Sequence, residues 1–138
     1  MSIMSKIIVE VCQNHNGDRR VLRDLIHAAV DNGADVIKGQ IIFSDDVTSR
    51  ERFDEGHVEH NGVRKTIKRP YEAEVARMRT LDLTQDDYRF FVEETYRAGA
   101  TPMLTVFSRN RISLVSSLPW KGEKLVKVAS YDCESYPM

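Results

Sequence analysis

At 138 residues the chain can bury one sizeable core but not several. Hydrophobic residues at 41%, charged residues at 30% and a formal net charge of -1 describe an ordinary globular domain, with no electrostatic basis for binding nucleic acid or a membrane surface. No apolar run approaches the roughly 20 residues of a membrane span, Met1 to Lys6 lack a signal peptide's apolar segment, and Cys12 and Cys133 make no disulfide framework, so a cytoplasmic chain with reduced thiols is expected.

The elements follow in chain order. A first strand is predicted from about Lys6 to Val11. Asp18 then caps a helix whose apolar positions Val21, Leu22, Leu25, Ile26 and Ala29 keep the helical period, and Asn32-Gly33 ends it. A second strand runs from about Asp35 to Ile42. The stretch from about 43 to 70 is polar and carries Asn61-Gly62, a strong hairpin-turn dipeptide, so it reads as a long excursion holding a small hairpin. A short helix follows around Glu72 to Met78. Thr84, with Asp87 three residues on, caps another helix that buries Tyr88, Phe91, Val92 and Tyr96 and closes at Gly99. Thr101 to Phe107 is the third sheet strand. Asn110 is expected to cap a short helix through Ile112, Leu114, Val115 and Leu118, stopped by Pro119, and Lys124 to Ala129 is the last strand.

Strands alternating with helices argue for a parallel α/β sheet with right-handed crossovers. Two architectures fit: half of a (β/α)8 barrel, or an open doubly wound sheet. A barrel needs about 250 residues, so residues 1–138 would be a partial barrel domain, the N-terminal half with about four parallel strands. In both architectures sites form at the carboxyl ends of the strands. Three of the strands here deliver charge there. Ile7-Ile8-Val9 ends in Glu10, Val36-Ile37 in Lys38 followed by Gly39-Gln40, and Val126 leads into Lys127-Val128-Ala129-Ser130-Tyr131-Asp132. Charges in apolar runs are costly unless paired or functional, so the three strand ends point to one shared polar site. No GxGxxG or Walker-type phosphate loop follows the first strand, which argues against nucleotide binding.

The strand ends resemble the sialic acid synthase family. The resemblance covers nearly the whole chain and rests on Glu10-Val-Cys-Gln-Asn-His-Asn-Gly-Asp18, Gly33-Ala-Asp-Val-Ile-Lys-Gly-Gln40, Leu83-Thr-Gln-Asp-Asp87, Thr105-Val-Phe-Ser-Arg109 and Lys127-Val-Ala-Ser-Tyr-Asp132 before Tyr136-Pro137. It implies a TIM-type barrel that condenses phosphoenolpyruvate with an N-acetylated amino sugar to give a nonulosonic acid. On the same resemblance Glu10 faces sugar and metal, Lys38 and Lys127 bind phosphoenolpyruvate with hydroxyls from Thr105 and Ser130, and Gln40 lies beside the sugar. Asp132 falls where the family has an acidic residue that handles a proton or water. The family's divalent metal, Mn or Mg, takes two histidines from later strands, so its ligands are expected outside this chain, which is expected to be inactive alone. A second half-barrel or a homo-oligomer is the expected macromolecular partner. Three residues depart from the family pattern: Gly39 stands where relatives often carry a bulkier residue, Val106 replaces a proline, and Tyr131 replaces a glycine at a point of close backbone approach.

Blander readings stand beside these. Lysines at strand ends can be solvated, and Asp132 can cap a following helix. The Asn14-His15-Asn16-Gly17 loop needs only Gly17 and Asp18 to turn the chain, although Asn14 counts among the substrate-binding candidates and His15 is equally suited to face substrate. His57-Val-Glu-His60 lies in the hairpin, without a third ligand at a useful spacing, and reads as a loop. Cys12 and Cys133 read as buried, inert thiols. Two other functions remain open: a Schiff-base, aldolase-like barrel using Lys127 or Lys38, and a non-catalytic half-barrel remnant or interaction module.

Overall fold

Four parallel strands, β1 (Ile8–Cys12), β2 (Val36–Ile41), β5 (Thr101–Val106) and β6 (Leu125–Val128), form one sheet in the order β1-β2-β5-β6. The computed structural model describes residues 5–48, 57–58, 60–65, 70–130 and 133. Helix α1 (Arg19–Asp31) joins β1 to β2, α2 (Tyr71–Arg79) and α3 (Gln85–Ala98) precede β5, and α4 (Ile112–Ser117) precedes β6. Each sheet strand therefore lies beside the one before it in the chain. A doubly wound sheet reverses its order at a switch point; this sheet does not, and its order is that of a barrel.

One side of the sheet carries the core. Ile37, Ile41, Leu104 and Val106 pack with Leu22 and Ile26 of α1 and with Tyr88, Phe91 and Val92 of α3. Each large apolar side chain so buried contributes roughly 1.5–3 kcal/mol. Gly39 belongs to this packing. A Cβ there would lie 3.1 Å from Phe91 Cζ and 3.3 Å from Leu104 Cδ2, so the absence of a side chain lets α3 settle on β2.

Local signals explain the element ends. The Asp18 carboxylate accepts from the Arg20 N–H at 2.7 Å to start α1. Thr84 and Asp87 form a reciprocal capping box at the start of α3, which Gly99 ends in the left-handed conformation. In the excursion, β3 (His57–Val58) and β4 (Arg64–Lys65) pair antiparallel around Asn61-Gly62, as the turn dipeptide predicts. The cap before α4 is a correction. The helix itself has no side-chain cap; a 3-10 turn over Arg109–Arg111 runs into it, and Ser108, not Asn110, caps that turn, its hydroxyl accepting at 3.3 Å from the Asn110 N–H. Two neighbouring residues could each cap here, and the one at the end of the extended segment does so.

Apolar residues at both outer strands of the sheet are exposed. Ile7 and Ile8, where β1 begins, are 54% and 53% accessible, and Val126 and Val128 on the last strand are 43% and 40% accessible. Among the described residues no helix is long and apolar enough to cross a membrane.

Candidate functional site at the strand ends

Parallel register sorts the polar residues into rows. Glu10 is opposite Lys38 and Lys38 is opposite Met103; one step up, Gln40 is opposite Thr105, and Thr105 is opposite Lys127. Residues two apart on a strand share a face. Lys38 and Gln40, Met103 and Thr105, and Leu125 and Lys127 therefore all face away from the helix-packed core. Five of the predicted site residues, Glu10, Lys38, Gln40, Thr105 and Lys127, share that face.

Their partners differ. The Lys38 ammonium is 2.9 Å from Glu10 Oε2, with both side chains partly buried. Lys127 Nζ donates at 3.1 Å to its neighbour's backbone carbonyl, Val128 O. Gln40 Nε2 donates to Cys12 Sγ at 3.6 Å, and its backbone carbonyl accepts from the Tyr88 hydroxyl at 3.1 Å. Thr105 is only 4% accessible, and among the described residues its hydroxyl makes no hydrogen bond. A buried, unpaired hydroxyl is rare enough to require an explanation. Here it lies between Gln40 and Lys127.

The loop after β1 completes the mouth. Asn14 is exposed and, with Cys12, Gln13, Gln40 and Arg77 of α2, lines an open cavity of about 550 Å³. Gly17 holds the loop shut: it has φ +73°, and a Cβ on it would come within 2.5 Å of Thr80 O. His15 does not face the cavity. It is 4% accessible, its Nδ1 accepts from the Gly17 N–H at 3.0 Å, and burial lowers its pKa. Its role is to shape the turn. Ser130 is exposed just beyond β6; Asp132 and Tyr131 lie outside the described residues. The thiols also differ from expectation, Cys12 being half-buried and Cys133 exposed, because the first lies at the cavity wall and the second in the turn after β6.

The segment after β2 is tied to the turn before α3 and to the turn after β5. Ser44 binds Asp82 through its N–H at 2.8 Å and its hydroxyl at 2.7 Å. Arg111 Nε is 3.0 Å from Asp46, its guanidinium also pairs with Asp45, and it lies 4.1 Å over the Phe43 ring. None of this clasp was read from the sequence, since its members are 65 residues apart and each looks like an ordinary surface charge. Arg77 at the cavity wall was missed for the same reason. Among the described residues no group of three or more His, Cys, Asp or Glu side chains converges on a metal-sized site. The one carboxylate in the rows, Glu10, is paired with Lys38. These residues alone do not fit a divalent metal.

A sequential parallel sheet with lysines, a hydroxyl and an amide on its open face at the strand ends is part of a (β/α) barrel, with its polar residues where such barrels place their sites. The model of the NeuB family matches residues 25–138, and the chain belongs to that family. It is 28% identical over 131 residues to the N,N'-diacetyllegionaminic acid synthase of Legionella pneumophila, covering 95% of this chain and 34% of that protein. Two solved structures share the fold. The N-acetylneuraminic acid (sialic acid) synthetase of Leptospira borgpetersenii has a TM-score of 0.66 at 22% identity, over 91% of this chain and 36% of that one. A Chromobacterium violaceum protein described as spore coat polysaccharide biosynthesis protein E has a TM-score of 0.67 at 22% identity, over 97% and 36%. The chain thus spans about a third of the length of these relatives. Its fold is that of the N-terminal half of their TIM-type barrel.

Proposed function

We propose that this chain is the N-terminal portion of a synthase that condenses phosphoenolpyruvate with an N-acetylated amino sugar to a nonulosonic acid. The observation that carries this reading is the row Gln40–Thr105–Lys127, in which a buried hydroxyl, without a partner among the described residues, lies between an amide and an ammonium in a chain of the NeuB family. Phosphoenolpyruvate presents a carboxylate and a phosphate, which need cationic and hydroxyl donors. Lys127, Thr105 and Ser130 supply them in this reading, with Lys38 adding charge from the next row. Gln40 and Asn14 hydrogen-bond the sugar from the cavity side, and Glu10 faces its reacting end.

The reaction forms one carbon–carbon bond. The phosphoenolpyruvate methylene carbon attacks the aldehyde carbon of the open-chain sugar, whose oxygen takes up a proton. Water then adds at the former enol carbon, giving up its own proton, and inorganic phosphate leaves. Lys127 holds the phosphoenolpyruvate, the Glu10–Lys38 pair borders the aldehyde, and Asp132 handles the water's proton. A divalent metal would polarise the aldehyde when bound. Glu10 is the only contributor to it proposed from this chain, and the other ligands would come from beyond these residues. The reaction is assigned to the cytoplasm.

The test is phosphate release by a polypeptide carrying the complete barrel, requiring both phosphoenolpyruvate and an N-acetylated amino sugar such as N-acetylmannosamine; the 138-residue polypeptide alone is expected to release none. If borohydride with a keto acid instead traps a covalent adduct on Lys127 or Lys38, the protein is a Schiff-base enzyme and this reading fails.

A further inference from the structure

The last residue of β1 is strained. Cys12 has φ +46°, a left-handed conformation that residues with a Cβ seldom adopt. The strain arises at a register break: Glu10 pairs with Lys38, but Cys12 pairs with Gly39, so β1 advances two residues while β2 advances one. Val11 is the extra residue of this bulge, and its side chain drops into the helix-side core at 3% accessibility. Bulges re-aim side chains next to sites, and strained residues persist where their surroundings hold them.

The holding contacts reach two residues of the site. The Cys12 N–H donates at 3.1 Å to Glu10 Oε1, while the other oxygen of that carboxylate is 2.9 Å from Lys38 Nζ. The Cys12 thiol accepts from Gln40 Nε2 at 3.6 Å and forms part of the cavity wall beside Asn14. One residue thus touches a carboxylate through its backbone and a carboxamide through its side chain.

We propose that Cys12 is a positioning residue, its backbone fixing the Glu10 carboxylate and its thiol fixing the Gln40 carboxamide, so that a single bent residue sets their spacing. The assignment of that pair to the amino sugar rests on the proposed function; the contacts themselves do not. Cys12 has no chemical step of its own. Burial first, and then the adjacent Glu10 carboxylate, hold its thiol above the ordinary range, the opposite of what a nucleophile needs.

Three substitutions separate positioning from simple space-filling. Cys12→Gly accepts the positive φ and keeps the N–H but loses the thiol. Cys12→Ser keeps an acceptor for Gln40. Cys12→Val opposes the backbone conformation with a branched Cβ. The expected result is that Cys12→Gly folds as stably as the parent yet binds N-acetylmannosamine about three- to tenfold more weakly, with phosphoenolpyruvate affinity unchanged. A lost neutral hydrogen bond is of that order. Cys12→Ser should restore the affinity. Cys12→Val should weaken both the fold and the sugar site. Equal sugar affinity in the Gly, Ser and parent proteins would overturn the proposal and leave Cys12 a structural bulge only.

A second measurement needs no substrate. Crystal structures of the Cys12→Gly and Cys12→Ser proteins should show the Gln40 carboxamide displaced in the first and held in the second, because only the second keeps an acceptor for Gln40 Nε2. A carboxamide unmoved in Cys12→Gly would overturn the proposal. If the parent protein binds no amino sugar at all, the proposed function fails, while these structures still decide the contacts.

Discussion

Lys38 Nζ lies 2.9 Å from Glu10 Oε2 across the β1–β2 pair, so one of the two site lysines is already neutralised by its neighbour. Lys127, on the far side of Thr105, makes a 3.1 Å hydrogen bond to a backbone carbonyl and, among the described residues, pairs with no carboxylate. Such an ammonium has more to gain from an arriving phosphate. Lys127→Ala should therefore cost phosphoenolpyruvate binding roughly 1.5–3 kcal/mol, about ten- to a hundredfold in affinity, and more than Lys38→Ala costs. Titration calorimetry with phosphoenolpyruvate on a polypeptide carrying the complete barrel measures both. Equal, negligible losses would remove Lys127 from the site.

Gly17 meets two demands at once, a positive φ and a 2.5 Å approach of its missing Cβ to Thr80 O. Gly17→Ala should destabilise the protein by about 1–3 kcal/mol, since the strain and the clash add. Gly33, which also has positive φ but nothing within 4 Å, should lose only the conformational part when changed to Ala. Urea midpoints of the two variants against the parent test the ordering.

What could be read from the residues follows from the range of the forces involved. Caps and turns are local, so Asp18, Thr84 with Asp87, and Asn61-Gly62 announce themselves within four residues. The rows of the site were also legible, because apolar strands ending in Glu10, Lys38 and Lys127 have period two and need only parallel pairing to align. The bulge was not. The φ of Cys12 depends on how β1 and β2 register, and no residue near it marks a left-handed turn. Glu94 shows the same limit on a helix. It falls on the same buried face as Phe91, where a charge is ordinarily excluded, and it is held there at 3% exposure because His27, 67 residues away, lies 2.7 Å from its carboxylate and Arg97 pairs with it from the next turn. Partners distant in sequence decide whether a charge is surface or core.

His15 makes stability depend on pH. Burial lowers its folded pKa below the ordinary 6.5, an effect that Asp87 partly offsets. Between the folded and unfolded values the unfolded chain holds the extra proton, so stability rises with pH there. The contribution is complete above about pH 6.5 and is lost progressively as pH falls below it. His15→Asn keeps an acceptor for the Gly17 N–H but cannot titrate. The difference in urea midpoint between neutral pH and about pH 5.5 should be smaller in His15→Asn than in the parent. An identical difference in the two proteins would mean that His15 titrates as it does when unfolded.

The clasp between Arg111 and Asp46 should be costly to break from one side. The Asp46 side chain is 2% accessible, and besides Arg111 it accepts from the Phe43 N–H at 2.9 Å. Arg111→Met leaves this carboxylate buried without its cation, at a cost of about 3 kcal/mol. Asp46→Asn added to Arg111→Met should recover part of the loss, because the remaining partner is neutral. The same pair anchors the segment after β2, so limited proteolysis there should quicken in Arg111→Met and slow again in the double variant.

Finally, the 138-residue polypeptide should associate as concentration rises. Its two outer strands, β1 and β6, each have one backbone edge with no strand beside it among the described residues, and each carries exposed apolar side chains. Val126 and Val128 pair in register with Leu104 and Val106, residues of the helix-packed core, so they continue an apolar surface that α4 leaves uncovered. Open edges and contiguous apolar patches both favour pairing with another chain. Val126→Lys with Val128→Lys should suppress association, since edge lysines resist strand addition and charge breaks the patch. Light scattering across a dilution series is the measurement. A compact, cooperatively folding monomer at every concentration, unchanged by the two lysines, would show that these edges are not adhesive.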